Sequence, residues 1–312
     1  MRYLFFVLLL SIAACQNATE ESTQEAVLTG LSEDTNTKNA FNEYWYNGEA
    51  ELSSYSLQQA RYGEVHKGEA VMVFVTEPFS KKNHTKADNA PASDKVNILK
   101  LNMTKKFYTG IYPYSMMLSA FTPIDRANDG PSMRVTCTSQ EWCGHTFTQL
   151  DYRNKAFEMM DFSYFPSEGD RSTKLSAEYT EDELFNLIRI NPELLPTGEL
   201  TMVPGTFIFR LKHLDLKTEK AVASLQAHPT EKDLQQYRVE WPGLNRDLTI
   251  DFQSQFPYTI EGWEENYSSG WGPGAKKLRT KATRKKTIML DYWSRNAVSD
   301  GYLREALELL KQ

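Results

Sequence analysis

Histidine and cysteine are scarce in this 312-residue chain, with five and three copies, and the catalytic patterns built on them are missing. There is no H-E-x-x-H pair, no G-x-S-x-G elbow, no Walker lysine motif and no glycine-rich fingerprint opening a helix. His66, His84, His145, His213 and His228 show no metal-ligand spacing. These absences leave no catalytic residue, metal or cofactor to assign. A basic field is missing as well. The net charge of −6 gives no reason to expect a nucleic-acid partner. Long apolar runs are also absent: the longest, Leu4 to Ile12, stops well short of the roughly 20 residues a spanning helix needs.

That run has a different use. Arg2 precedes it and the small residues Ala13 and Ala14 follow it, the layout of a secretory signal. Ile12-Ala13-Ala14-Cys15 resembles the lipobox of bacterial lipoproteins. The resemblance implies cleavage before Cys15 and lipid on its sulfur and new amino group. Stable anchoring takes about two acyl chains, and lipoproteins carry three. Gln16, where an inner-membrane retention signal would resemble Asp, points to the outer membrane. The expected layout is a signal peptide over 1–14, a lipid-anchored disordered tether over 15–40 and a β-rich globular body over 41–312. The tether is polar and acidic, with Glu20, Glu21, Glu25, Glu33 and Asp34, too poor in apolar residues to pack. Two halves would divide near 170–200. Export leaves Cys137 and Cys143 as an even pair in an oxidising compartment, so a disulfide is expected. A metal site of Cys137, Cys143 and His145 is the weaker alternative, since the spacing is wider than a zinc knuckle and no second pair exists.

Aromatic residues make up 12% of the chain, and such enrichment favours strands. Ala70 to Val75 is a continuous apolar run that reads as a buried strand, and further strand candidates recur at Val96 to Tyr108, Ile111 to Phe121, Met133 to Cys137, Gly144 to Tyr152 and Ala156 to Phe165. Asn154 offers a tight turn. Later candidates are Thr206 to Leu214, Ala221 to Ala227, Gln235 to Trp241, Asp247 to Phe252 and Tyr258 to Trp263, with Asn266 to Gly274 as loop. Lys276 to Thr283 and Lys286 to Tyr292 read as a hairpin turned at Arg284-Lys285. Phe41 to Gly48 is either a helical turn or the run into a strand. Thr180 with Glu183 three later forms a capping box on an amphipathic helix, and Asp300 to Leu310 closes the chain as another. The fold expected is mainly β and antiparallel, strongly curved or in two sheets, with a few helices including a C-terminal one.

Candidate contact residues follow from this map. Met116, Met117, Met159 and Met160 sit among aromatics on predicted strands; as core they fill gaps, and as a curved-sheet lining they would bind a hydrophobe. Trp271 lies in the glycine-dense turn Gly270-Trp271-Gly272-Pro273-Gly274, which lacks the partners of a phosphate loop. The basic hairpin 276–286 places Lys277, Arg279 and Lys281 on one face, facing anionic lipid or an acidic partner, or protecting a sheet edge. His213 and Asp215 would share a strand face.

Tyr44 to Phe79, Asn245 to Ile250, Phe256-Pro257-Tyr258 and Gly262 to Glu265 resemble a family of Gram-negative envelope lipoproteins without an assigned activity. Some of its members carry the label septum formation inhibitor Maf. Maf nucleotide pyrophosphatases have an N-terminal Ser-Pro-Arg-Arg motif that this chain lacks, so no catalytic residue transfers. The anchor, the tether and a strand-rich aromatic body without a catalytic motif point to a non-enzymatic cell-envelope lipoprotein binding a hydrophobic ligand or an envelope protein. The alternatives are a periplasm-facing hydrolase and a structural docking protein using the basic hairpin.

Overall fold

The computed structural model describes residues 35–309. Its strands are β1 Ala50–Arg61, β2 Glu64–Ser80, β3 Lys95–Thr109, β4 Tyr112–Pro123, β5 Arg134–Glu141, β6 Gly144–Arg153, β7 Ala156–Ser163 and β8 Arg171–Leu175, then β9 Gly198–Met202, β10 Glu219–Ala227, β11 Leu234–Trp241, β12 Arg246–Gln253, β13 Ile260–Ser269 and β14 Lys276–Leu290. The helices are α1 Thr35–Trp45, α2 Arg126–Asp129, α3 Leu184–Ile190, α4 Thr206–Lys212 and α5 Tyr302–Ala306. All strands join one antiparallel sheet in the order β8-β7-β6-β5-β4-β3-β2-β1-β14-β13-β12-β11-β10-β9. The chain runs outward from β1 to β8, crosses, and returns from β9 to β14, which closes on β1. The free edges are therefore β8 and β9.

Alternation drives the strands: in β12, buried and half-buried residues alternate at every position, so one face meets the core and the other does not. Asn154 and Lys155, both at positive φ, make the two-residue turn between β6 and β7 that suits strand twist. The crossing from β8 to β9 carries α3 and α4. Every residue of α3 is buried, and all of α4 except Lys212. A helix buried on all sides belongs inside a fold. The sheet accordingly curves around these two helices, and residues of both arms and both helices share one hydrophobic core. Asn186 of α3 donates to Leu99 O and Ala120 O on β3 and β4, at 3.1 and 3.3 Å, while Phe185 meets Trp263 of β13 edge-on.

Several expectations change. The signal segment, Cys15 and most of the tether lie outside the described residues; α1 takes the tether's last six positions and settles the Phe41 stretch as helix. Thr206 to Leu214 is α4, not a strand, because enclosure on all sides erases the helical period. At Thr180 the Glu183 half of the capping box forms, its carboxylate accepting the Thr180 N–H at 3.3 Å, but the helix is buried all round rather than amphipathic. The hairpin 276–286 is one strand of fifteen residues, β14. What reads as a turn at Arg284-Lys285 is a bulge opposite Ser54 and Tyr55, and β14 lies in the middle of the sheet rather than at an edge. The predicted loop at Asn266 begins later, since β13 continues to Ser269. The closing helix is shorter than its apolar stripe suggests, a 3-10 turn followed by α5.

The disulfide is not formed: Cys137 is buried and free, Cys143 exposed and free. Cys137 pairs with Thr148 deep in β5, whereas Cys143 sits in the turn beyond Glu141 and Gly144. Four residues of extended chain already span about 13 Å, beyond the reach of a disulfide.

Candidate functional site: the turn end of the sheet

Because the strands alternate in direction, the turns β1–β2, β3–β4, β5–β6, β7–β8 and β13–β14 all fall at one end. Turn tips are normally polar. Here they carry Tyr62, Tyr108, Ile111, Trp142, Tyr164 and Trp271, all exposed, from 42% for Tyr62 to 81% for Ile111. The rings form an open series of contacts that runs from Trp142 to Tyr164. Trp271 lies 5.5 Å from Tyr62, and the Tyr62 and Tyr114 hydroxyls are 2.7 Å apart. Tyr114 meets Tyr112, and Tyr112 meets Trp142. Tyr164 covers Gly144 beside that turn, where an added Cβ would meet its ring at 2.9 Å. Tyr164 meets Phe165, and Phe165, His213 and Trp271 continue the series with ring separations of 4.9 and 6.1 Å.

The centre of this arc is polar and is built on the end of α4. His213 caps α4 in the left-handed conformation. Arg61 donates to the Leu211 carbonyl, and Lys212 donates to the carbonyls of Ser268 and Gly270. Two cations at a helix C-terminus suit its dipole. The Arg61 guanidinium lies 4.2, 5.5 and 5.3 Å from the rings of Tyr62, Tyr114 and Trp271, and it donates to Tyr114 Oη and Tyr62 Oη at 3.2 and 3.3 Å. Burial lowers the Lys212 pKa, and Arg61 adds to the shift. Burial raises Tyr114 against the pull of Arg61.

Glu168 completes the group. It pairs with His213 Nδ1 at 2.7 Å and with Arg210, and it accepts from Ser163 Oγ at 2.5 Å. Burial pushes its carboxyl up, but the hydrogen bonds from Ser163, Arg210 and His213 outweigh that and hold it below its ordinary value. His213 Nε2 faces Arg61 Nη2 at 3.5 Å. Among the described residues no serine, threonine or cysteine hydroxyl or thiol lies within hydrogen-bond distance of it. The arrangement holds an imidazole in place, with the donors of Arg61 and Lys212 spent on Leu211, the two tyrosine hydroxyls, Ser268 and Gly270.

A second ionic cluster lies deep in the interior and has a different character. Glu181 takes both terminal nitrogens of Arg246, at 2.6 and 2.5 Å, and the Gly205 N–H at 2.7 Å. A side chain at Gly205 would meet that carboxylate at 2.6 Å. Glu265 bridges Arg246 and Lys105, each at 3.1 Å. Burial would raise Glu265, but Lys105 and Arg246 hold it down near 2. Asp182 accepts the Thr206 N–H at 3.0 Å. Burial pushes Asp182 up to about 7, and the Glu181 charge adds to this. Glu183 accepts the Ser132 N–H at 2.7 Å. Three successive carboxylates thus tie α3, the start of α4 and both arms of the sheet together. The space left beside Glu181, Asp182 and Glu265 is about 20 Å³, the scale of a single water.

The residues singled out in the sequence separate. Met116 and Met159 are buried in the core, whereas Met117 and Met160 are exposed on the convex face, so the four do not line one pocket. Arg279 and Lys281 pair with Glu264 of β13 at 3.0 and 2.8 Å, and Lys277 reaches Asn245. His213 is joined to Glu168, while Asp215 pairs with Arg171. Among the described residues no cluster of His, Cys, Asp or Glu is arranged to hold a metal, and no helix is long and apolar enough to cross a membrane. Trp271 stands exposed in the arc. Arg61, Tyr62, Tyr114 and Glu168 were missed; the available signal was that hairpin turns carried large apolar residues where polar ones are the rule. No protein-family model, no curated protein and no solved structure matches this chain.

Proposed function

We propose that this chain is a non-enzymatic, lipid-anchored protein of the bacterial cell envelope, held at the outer membrane through Cys15, that binds a hydrophobic ligand or an envelope partner through the turn end of its sheet. The observation that carries the contact surface is the cluster of exposed side chains Tyr62, Tyr108, Ile111, Trp142, Tyr164 and Trp271 on the turns of one end of the sheet. The lipobox-like Ile12 to Cys15 supports the anchor. The interior supports surface contact rather than enclosure, since α3 and α4 occupy the concavity. A photoreactive benzoylphenylalanine in place of Trp271, in cells, should give a discrete lipid or protein adduct, and the same probe in place of Trp293 should not. Equal labelling at both positions, or none at 271, would overturn the reading.

One observation favours a hydrolase as the second reading: His213 is oriented by Glu168 at 2.7 Å. Turnover of an ester or amide panel that disappears in His213→Gln, with crosslinking at 271 unchanged, would promote it.

A further inference from the structure

We infer that α1 is a displaceable cover over a second binding site, at the end of the sheet opposite the turns, which takes a single-chain amphiphile with a carboxylate head. The carboxylate pairs with Arg189, and the acyl chain takes the place of the α1 rings against Phe74 and Phe256. The inference is independent of the turn-end reading.

The head is assigned from the buried arginines. Arg61 bonds through all three guanidinium nitrogens. Arg246 is shared by two carboxylates, Glu181 and Glu265. Arg189 is 0% exposed and bonds through Nη2 alone, to Glu51. Its Nε and Nη1 meet no acceptor among the described residues. Burying a guanidinium with donors unpaired is costly. A ligand carboxylate gives Arg189 what Arg246 already has, a second anionic acceptor on one planar fork.

The cover is weak by composition. Of the eleven residues of α1, TNTKNAFNEYW, five are Thr or Asn, which are poor helix formers, and an isolated helix of this length is marginal in water. Its seat is made by side chains. Phe41 and Tyr44 meet Phe256 at 6.2 and 5.6 Å, and Trp45 meets Phe74 at 6.3 Å. The polar ties are the Tyr44 hydroxyl on Glu51 and the Thr76 hydroxyl on the Trp45 carbonyl, at 2.6 Å. The Arg189 guanidinium lies 5.2 Å from the Trp45 ring and 5.4 Å from Phe74, yet Trp45 Nε1 is itself without an acceptor. The closed arrangement therefore leaves three donors unpaired around one ring. Segments held this way open at lower cost than the strands beneath them.

The amphiphile follows from the layout. Tyr44 and Trp45 are 4.9 Å apart, so the rings of α1 fill one apolar path from Phe256 to the guanidinium. A chain with an anionic end matches that path along its whole length, and it takes over the burial that α1 contributes when closed. A small anion matches only the arginine, and a neutral hydrophobe only the rings.

The test uses the full lipidated chain in dodecyl maltoside and palmitate carrying a mid-chain diazirine, with adducts located by peptide mass spectrometry. Label is expected within 70–80 and 250–260, competed by palmitate and not by hexadecanol at the same concentration. Amide exchange over 36–45 should speed up when palmitate is added. Arg189→Gln should lower this labelling about tenfold and leave crosslinking at 271 unchanged. If that variant does not fold, the competition on the unaltered chain decides. Label scattered over exposed side chains, equal competition by hexadecanol, or unchanged exchange across α1 overturns the inference, whatever the probe at 271 captures.

Discussion

The two ends of the sheet are both rich in aromatic residues and treat them in opposite ways. At the end where β1 begins, Phe41, Tyr44 and Trp45 of α1 pack onto Phe256 and Phe74, and Trp45 is 1% exposed. The buried Arg189–Glu51 pair and the Tyr44 hydroxyl on Glu51 seal the same region. At the turn end Trp271 is 53% exposed, and no helix of the described chain covers it. Among the described residues one end is thus closed by a helix and the other is not. Exposed apolar side chains also occur on the segment after β14, at Trp293, Val298 and Tyr302. They do not form an arc around a polar centre.

The largest expected effect tests the closed end. Trp45→Ala removes a fully buried ring and leaves Arg189, whose guanidinium lies 5.2 Å from it, without that face. Such truncations cost about 3–5 kcal/mol, read as a lower urea midpoint with an unchanged slope. A loss under about 1 kcal/mol would mean that α1 is a cover in appearance only.

The next effect belongs to the interior that separates the ends. Asp182 titrates near 7 in the folded chain and near 3.9 when unfolded. Between these values the folded state holds a proton that the unfolded state has released. Its contribution is thus complete below about pH 4 and disappears as the pH rises through about 7. Glu265 has the opposite sign: held near 2, it contributes above about pH 4.3 and loses that contribution as the pH falls toward 2. Asp182→Asn should flatten urea midpoints between pH 4 and 7 and leave the acid limb in place. Parallel curves for the two proteins would show that the carboxyl beside Thr206 stays ionised.

A smaller effect is expected on the convex face. Reversing Lys277, Arg279 and Lys281 to glutamate breaks the pairs to Glu264. Exposed pairs of this kind contribute roughly 0.2–1 kcal/mol each, so the fold should persist and crosslinking at the turn end should be unchanged. Loss of the adduct would move the contact surface to β14.

These comparisons also mark what was legible in the chain. Alternation is a local property, so strands such as β3 and β12 could be read almost to their ends. Enclosure is not local. Thr206 to Lys212 carries no period because its neighbours come from both arms of the sheet. Position within the sheet is not local either, which is why the lysines of β14 resembled an edge hairpin. The arc at the turn end draws on residues 61–62, 112–114, 142, 164–168, 213 and 271, and only the order of strands brings them together. Trp271 could be picked out alone because a tryptophan among glycines is conspicuous without its partners.

The smallest expected effect on stability is the one that carries most of the comparison. Trp271→Ala removes an exposed ring that touches Tyr62 and Arg61 but leaves Arg61 bonded to Leu211 and to the tyrosine hydroxyls. Surface changes of this kind stay within about 0.5 kcal/mol, so the urea midpoint should barely move. Binding should behave otherwise, because a half-exposed tryptophan contributes most when a partner completes its burial. The two tryptophans would then divide their roles by end, Trp45 carrying stability and Trp271 carrying contact. If Trp271→Ala instead destabilised the chain as much as Trp45→Ala, the turn end would be a second closed end whose rings serve the fold. The open and closed ends would then differ only in exposure.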